Sequence, residues 1–206
     1  GNGYKMKKLT KEHYLRITNS KDSLIKDIDS LWFSSKSLGK HLDGYKLILT
    51  TDYTASNELR GDFSVSYMWA VNSNRDWFMI DISVKRQTIE QQYNTTMQMV
   101  QKWVQRTGKS VEVAVELDGQ QRINVYALKQ LQIKDHIWFT FSKQIGATAG
   151  AQGFSRKKAG GDKHSQFMRV HHLFQNGNIF FAEEFKDSPD MVELLEELKY
   201  ITYDSI

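Results

Sequence analysis

The chain has 206 residues, of which 40% are hydrophobic and 12% aromatic. This length is enough for one sizeable hydrophobic core but is short for two separate cores. No stretch approaches the roughly 20 apolar residues of a membrane span, and the N-terminus lacks the charged start and apolar block of a signal peptide, so we expect a protein that is neither exported nor inserted into a membrane. The absence of cysteine excludes disulfides, zinc-thiolate sites and thiol nucleophiles, while a net charge of +4 is compatible with a polyanionic partner without requiring one.

The N-terminal region 1–44 shows no clear hydrophobic period and is interpreted as a lead-in, with a loop at Ser34–Gly39. Three strand-like runs follow, at Leu47–Asp52, Phe63–Val71 and Trp77–Val84. The segments between them are polar, as is typical of antiparallel hairpin turns. The sequence therefore predicts a three-stranded antiparallel meander at the start of one domain that covers residues 45–206.

A helix is predicted after the meander, because Thr88 and Gln91 have the spacing of a capping box and apolar residues then recur on one helical face up to Gly108. The next run, Ser110–Glu116, alternates between valines and other residues, as a strand with one apolar face does. Because a helix connects this strand to the meander, the strand should lie parallel to its partner in the sheet.

Two acidic residues end two of these strands, Asp52 the first and Glu116 the fourth. If those strands are neighbours, both carboxylates lie at one edge of the sheet on backbone that is already ordered. Such paired carboxylates bind divalent cations, which indicates metal-assisted hydrolysis of a phosphodiester. The order β-β-β-α-β opens the ribonuclease H-like fold. We therefore predict an α/β protein whose mixed central sheet, with three antiparallel strands and then a parallel one, is flanked by helices.

The second half of the chain is predicted to contain five further elements. They are a short helix, a strand, a second helix, a short strand and a final helix, at Arg122–Leu131, His136–Ser142, Lys163–Gln175, Asn178–Phe181 and from Ser188 onward. A segment without a hydrophobic period, Lys143–Gly161, lies among them and carries the basic cluster Arg156, Lys157 and Lys158.

Three stretches of the chain recur together in a known family. They are Asp52-Tyr-Thr-Ala-Ser with Gly61-Asp62-Phe-Ser-Val, then Val113-Ala-Val-Glu116, and finally Asp162-Lys163-His-Ser-Gln-Phe-Met-Arg169 with Leu173-Phe-Gln-Asn-Gly-Asn-Ile-Phe-Phe181. In order and spacing they resemble the nuclease domain of the large terminase subunit of tailed bacteriophages, the motor protein that cuts and packages viral DNA. The resemblance covers most of the chain from Tyr45 to Thr202.

The resemblance implies a divalent-metal-dependent endonuclease that cleaves concatemeric double-stranded viral DNA during genome packaging. Asp52 and Glu116 would be the catalytic acids of a two-metal site for Mg²⁺ or Mn²⁺, with Asp62 as a supporting ligand. Five basic side chains would contact the DNA: Lys163, Arg169, Arg156, Lys157 and Lys158. The implied partners are the ATPase domain of the same subunit, the portal and the small terminase subunit, in the cytoplasm of the host cell.

The chain departs from the family's pattern in two places. The family carries a His-Asp-Asp or related motif just beyond the equivalent of Tyr200–Thr202, where this chain has Asp204 as the only acid near the expected third metal ligand. We therefore expect that the natural sequence continues. The Gly-x-x-x-x-Gly-Lys-Ser/Thr loop of an ATPase domain does not occur in this sequence, so we expect the nuclease part alone.

Each candidate residue also has an ordinary structural interpretation. Asp52 and Asp62 can cap turns, and lysine and arginine side chains are usually only solvated. Two other functions therefore stay open at this point. One is a different ribonuclease H-like nuclease, such as a Holliday-junction resolvase or a transposase core. The other is a non-catalytic module that binds DNA or supports assembly.

Overall fold

The computed structural model of the protein describes residues 32–54, 63–115, 121–142 and 178–199. The strands in these ranges are β1 (Trp32–Phe33), β2 (Lys46–Asp52), β3 (Ser64–Val71), β4 (Trp77–Lys85), β5 (Val111–Val115), β6 (Thr140–Phe141) and β7 (Ile179–Ala182). The helices are α1 (Ile89–Thr107), α2 (Gln121–Asp135) and α3 (Pro189–Lys199), with short 3-10 helices at Ser35–Leu38 and Glu183–Phe185. None of the described helices is long and apolar enough to cross a membrane.

The strands of the described ranges form one seven-stranded mixed sheet with the order β1-β7-β4-β3-β2-β5-β6. Strand β3 runs antiparallel to both of its neighbours, β2 and β4. The other pairings in this sheet are parallel. All of these strands except β3 therefore end on the same side of the sheet, which we call the C-terminal edge. The predicted fold class, a ribonuclease H-like α/β fold with a mixed sheet, is confirmed.

Helix α1 begins and ends where the sequence predicts. The Thr88 hydroxyl accepts the Gln91 N–H at 3.3 Å and the Gln91 side chain accepts the Thr88 N–H at 3.0 Å, so the capping box pairs two amides that would otherwise lack partners. At the other end Gly108 takes a left-handed conformation with φ 72°, which costs glycine little. The chain then enters β5, which pairs in parallel with β2 as predicted.

Apolar side chains are buried on both faces of the sheet. One core lies between the sheet and helices α1 and α2, and its most buried members include Leu47, Leu49, Met68, Val100, Val113 and Leu128. The second core lies where α3 packs on β4 and β7, and its most buried members include Met79, Phe181 and Met191. Helices on both faces explain why β4 is buried along most of its length.

A β-bulge in β4 turns two consecutive side chains toward α1. Met68 of β3 pairs with Asp81, whereas the next residue, Trp69, pairs with Met79, so Ile80 is the additional residue of the bulge. Ile80 belongs to the core beneath α1. The bulge therefore places the Asp81 carboxylate under the same helix.

Asp81 ties β4 to the middle of α1. The residue is only 7% exposed, and its carboxylate accepts hydrogen bonds from Trp103 Nε1 at 2.8 Å and from Lys102 Nζ at 2.9 Å. The other carboxylate oxygen accepts the Ile82 N–H at 3.0 Å. Because both oxygens are paired, the burial of this charge is compensated by hydrogen bonds.

Three features differ from the sequence prediction. Part of the region expected to be a lead-in joins the sheet, because Trp32–Phe33 pairs with β7 from the far end of the chain, and the expected loop contains the 3-10 helix Ser35–Leu38. Helix α2 continues to Asp135, beyond the predicted end at Leu131. His136, in the turn that follows, has a left-handed backbone conformation with φ 52°. The strand predicted at His136–Ser142 is therefore shorter in the structure, where only β6 (Thr140–Phe141) is a strand. The helix predicted at 163–175 lies outside the described residues.

Replacement of Asp81 by alanine should lower the free energy of unfolding by about 1–3 kcal/mol, because the buried Trp103 N–H then lacks an acceptor. The matched control is Lys102→Met, which removes the more exposed partner of the same carboxylate and should cost at most about 1 kcal/mol. Urea denaturation of the two variants and the wild type measures both effects. Equal stability of Asp81→Ala and the wild type would contradict this assignment.

Candidate active site

Asp52 is the last residue of β2 and lies partly buried at the C-terminal edge of the sheet. On one side it is paired with Val65 of β3. On the other side the parallel ladder with β5 continues as far as the pair Thr51 and Val115. The backbone that carries the Asp52 carboxylate is therefore held by neighbouring strands on both sides, which fixes the position of the side chain before any ligand binds.

The predicted second acid, Glu116, follows Val115 directly in the chain and lies outside the described residues. The pairing on which its predicted place depends, β2 beside β5 in parallel, is confirmed. Thr51 and Val115 are partners in that ladder, and each is followed in the chain by one of the two acids. The close approach of the two carboxylates stays a prediction.

Gln92 of α1 holds the segment that follows Asp52. Its side chain is 1% exposed and makes hydrogen bonds with Thr54 through both ends of the amide. The Oε1 atom accepts the Thr54 N–H at 2.9 Å, and Nε2 contacts the Thr54 carbonyl and hydroxyl oxygens, each at 3.1 Å. The same Nε2 lies 3.0 Å from the Gln87 carbonyl oxygen. We call this arrangement the Gln92 clamp, since it fixes the chain on the far side of Asp52.

Tyr53 adds a second attachment of this segment to α1. Its buried hydroxyl forms a short hydrogen bond with the Thr96 hydroxyl, and its ring packs edge-on against Tyr93 with the ring centroids 5.3 Å apart. Burial raises the pKa of the Tyr53 phenol well above its ordinary value, against the lowering effect of the Thr96 hydrogen bond. Tyr53 therefore stays protonated at neutral pH and serves as a neutral hydrogen-bonding group rather than a base.

The edge where β4 ends and α1 begins carries groups of positive character, together with two acids, Glu90 in the first turn of α1 and Asp190 near Lys85. Helix α1 begins there, after β4, and its N-terminus carries a partial positive charge from the aligned peptide dipoles. Lys85, the last residue of β4, and Arg86 after it are both exposed. This character favours the binding of anionic groups, either carboxylates or phosphates.

Asp190, in the first turn of α3, is an acid at this edge that the sequence analysis did not single out. Burial raises the pKa of its carboxyl group, Asp81 adds to the effect, and Lys85 and a hydrogen bond from the Val84 backbone oppose it. Val84 lies two strands from Asp52 across the sheet, or about 10 Å at about 4.8 Å per strand. Asp190 therefore accepts a hydrogen bond from the backbone of β4, two strands away from the Asp52 backbone.

The remaining predicted site residues lie outside the described part of the chain. They are Asp62, Asp204, Arg156, Lys157, Lys158, Lys163 and Arg169. Within the described ranges there is no group of three or more His, Asp or Glu side chains that could hold a metal ion. A metal centre at Asp52 would therefore need ligands from beyond these ranges.

The fold is similar to that of a viral terminase nuclease domain. A solved structure of the human cytomegalovirus terminase nuclease domain, soaked with Mn, superimposes with a TM-score of 0.52 at 13% sequence identity, over 84% of this chain and 82% of that one. No protein-family model matches the chain, and no curated protein matches its sequence. At this level of identity the likeness establishes a terminase-nuclease-like fold and not a bacteriophage origin.

Replacement of Gln92 by leucine should lower the free energy of unfolding by about 2–4 kcal/mol, because the Thr54 and Gln87 backbone groups lose their buried partners while the side-chain volume is nearly kept. Gln101→Leu, on the exposed side of the same helix, is the control and should change stability by no more than about 0.5 kcal/mol. Thermal and urea denaturation compare the two. A Gln92→Leu protein as stable as the control would show that the clamp contributes nothing.

Proposed function

We propose that this protein is a divalent-metal-dependent endonuclease that cleaves double-stranded DNA, and that it is the nuclease domain of a bacteriophage terminase that cuts concatemeric viral DNA during packaging. The observation that supports the proposal most directly is the place of Asp52. Its carboxylate stands at the C-terminal edge, on a central strand between β3 and β5, in a fold similar to that of a terminase nuclease domain. In open α/β sheets, sites form outside the carboxyl ends of the parallel strands.

Asp52 and Glu116 are the proposed catalytic acids and the ligands of Mg²⁺ or Mn²⁺, with Asp62 as a supporting ligand and Asp204 as the candidate for a third acid. The donor chemistry fits, because these ions prefer carboxylate oxygens and the chain contains no cysteine. When bound, the ions would lower the pKa of an attacking water molecule and neutralise charge on the phosphate oxygens.

The described residues contribute rigidity to this site. The ladders with β3 and β5 hold the backbone before Asp52, and the Gln92 clamp and the Tyr53 hydroxyl hold the backbone after it. Because the backbone that carries the carboxylate is fixed in this way, binding of a cation would need to order only the Asp52 side chain itself. The side chain is therefore suited to bind a cation at a constant distance from the scissile phosphate.

The substrate would be bound through its phosphates. Basic residues proposed to contact them are Lys163, Arg169, Arg156, Lys157 and Lys158, and such contacts carry no base specificity. Cutting would then depend on where the packaging machinery places the DNA. The proposed partners are the ATPase domain of the same subunit, the portal and the small terminase subunit, and the proposed place of action is the cytoplasm of the host cell.

The Asp52→Asn substitution should abolish nicking and linearisation of supercoiled plasmid in Mn²⁺ or Mg²⁺, because the amide cannot replace the charged ligand. Its melting temperature should stay the same or rise, because the substitution removes carboxylate repulsion from the site. The control is Asp43→Asn, an exposed aspartate ahead of β2, which should cleave at the wild-type rate. Glu116→Gln is expected to behave as Asp52→Asn does.

Other outcomes of this assay point to other functions. Cleavage retained in Asp52→Asn would remove this residue from the mechanism. A preference for four-way junctions over linear duplex would indicate a junction resolvase. DNA binding that is indifferent to chelator, without cleavage at any metal concentration, would indicate a non-catalytic module.

A further inference from the structure

A polar groove with a volume of about 450 Å³ opens beside the first half of α1. The exposed side chains of Lys85 and Arg86 line it where β4 ends. Its partly buried lining includes Gln87 and Thr95, and Gln87 Nε2 donates a hydrogen bond to the Thr95 hydroxyl at 2.9 Å. Hydrogen bonds between the β4–α1 connection and the helix therefore order part of the groove before any ligand arrives.

The chemistry of the groove suits a chain of phosphates and sugars. Helix α1 contributes the uncharged amide side chains of Gln91, Asn94 and Gln98. Among the described residues, no carboxylate and no apolar side chain lines the groove. Two cations can neutralise phosphate charge, while amides and a hydroxyl can bond to phosphate and sugar oxygens whatever the base sequence. An apolar ligand would bury little apolar surface here.

Neighbouring groups contact both basic residues. The Arg86 guanidinium lies over the Phe63 ring, 4.1 Å from its centroid. The Lys85 carbonyl oxygen accepts a hydrogen bond from the Ser64 hydroxyl at 2.9 Å. Asp190 is close enough to Lys85 to interact with it electrostatically, so the Lys85 charge is partly balanced within the protein.

The groove opens at the same edge of the sheet as Asp52. Lys85 pairs with Ser64, and the next residue, Val65, pairs with Asp52. Two strand spacings, about 10 Å, separate the Lys85 backbone from the Asp52 backbone. Because Ser64 and Val65 are adjacent residues of one strand, their partners Lys85 and Asp52 lie on opposite faces of the sheet, Lys85 on the α1 face. A DNA backbone bound in the groove would therefore reach Asp52 by passing over the edge of the sheet.

We propose that this groove binds the sugar-phosphate backbone of the DNA substrate at the edge of the sheet that carries Asp52. The inference rests on the proposed function and adds a DNA-binding surface to it. Lys85 and Arg86 neutralise phosphates, and the amides of α1 bond to the backbone between them. The binding is independent of base sequence, so it holds the DNA at this edge without choosing the position of the cut.

The test is DNA binding measured in chelator, where no cleavage can occur. A short fluorescently labelled duplex is titrated with wild-type protein, Asp52→Asn and the double variant Lys85→Gln/Arg86→Gln, over a range of salt concentrations. Loss of two phosphate contacts should reduce the slope of log affinity against log salt by about 2 and weaken binding about 30-fold at roughly 0.15 M salt. Asp52→Asn should bind with wild-type affinity or better.

The matched control is Arg75→Gln/Lys134→Gln, which removes one arginine and one lysine that are both exposed. Arg75 lies in the turn between β3 and β4, and Lys134 lies in the last turn of α2. Both are at the opposite edge of the sheet, so the salt slope of this control variant should stay near that of the wild type.

Equal losses of affinity in the two double variants would contradict the proposed role of the groove in DNA binding, because the change in net charge alone would then explain them. An unchanged slope in the Lys85/Arg86 variant would overturn it while leaving the nuclease proposal standing. Failure of the wild-type protein to bind DNA would overturn both.

Discussion

The parallel pairing of β2 with β5 is the constraint on which the candidate site depends. A strand that follows a helix rejoins the sheet in parallel through a crossover, and α1 makes that crossover here. The register runs from the pair Leu47 and Val111 to the pair Thr51 and Val115, and it keeps the β5 valines in the core beneath α1. A slip of one residue would turn those valines to the opposite face. Core packing therefore determines where β2 ends and where the Asp52 carboxylate stands.

Helix α1 serves the core and the site at once. In its middle, apolar side chains such as Val100 are buried against the sheet. In its first turns the buried positions are polar, at Gln92 and Thr96, and both hold the segment after Asp52. A buried amide is costly unless it is hydrogen-bonded, and Gln92 finds its partners on that segment and on Gln87. The outer side of the same turns lines the polar groove.

At the C-terminal edge, Asp52 and Lys85 lie too far apart to neutralise each other directly, whereas Lys85 is partly balanced by Asp190. The proposed catalytic acid must bind cations, whereas the proposed DNA-binding groove must bind phosphates, and a direct salt bridge between the two would weaken both. Asp52 and Lys85 are two strands apart, about 10 Å, which is close to the screening length of physiological salt. Each can therefore act on its own ligand. Similarity of fold at 13% identity is evidence for the architecture only. The function must therefore be argued from side chains such as Asp52 and Lys85.

The sequence by itself determined the elements governed by local chemistry: the three strands of the meander, the capping box at Thr88, the end of α1 at Gly108 and the parallel return of β5. It also predicted that Asp52 ends a strand beside β5, while Glu116 and the basic residues stay predictions. Only the tertiary structure decided that β1 pairs with β7, that Gln92 holds the segment after Asp52, and that Lys85 and Arg86 line a groove near it. These features depend on contacts between residues far apart in the chain. Hydrophobic periodicity reports only which face of an element is buried, and not which distant group a buried polar side chain will meet.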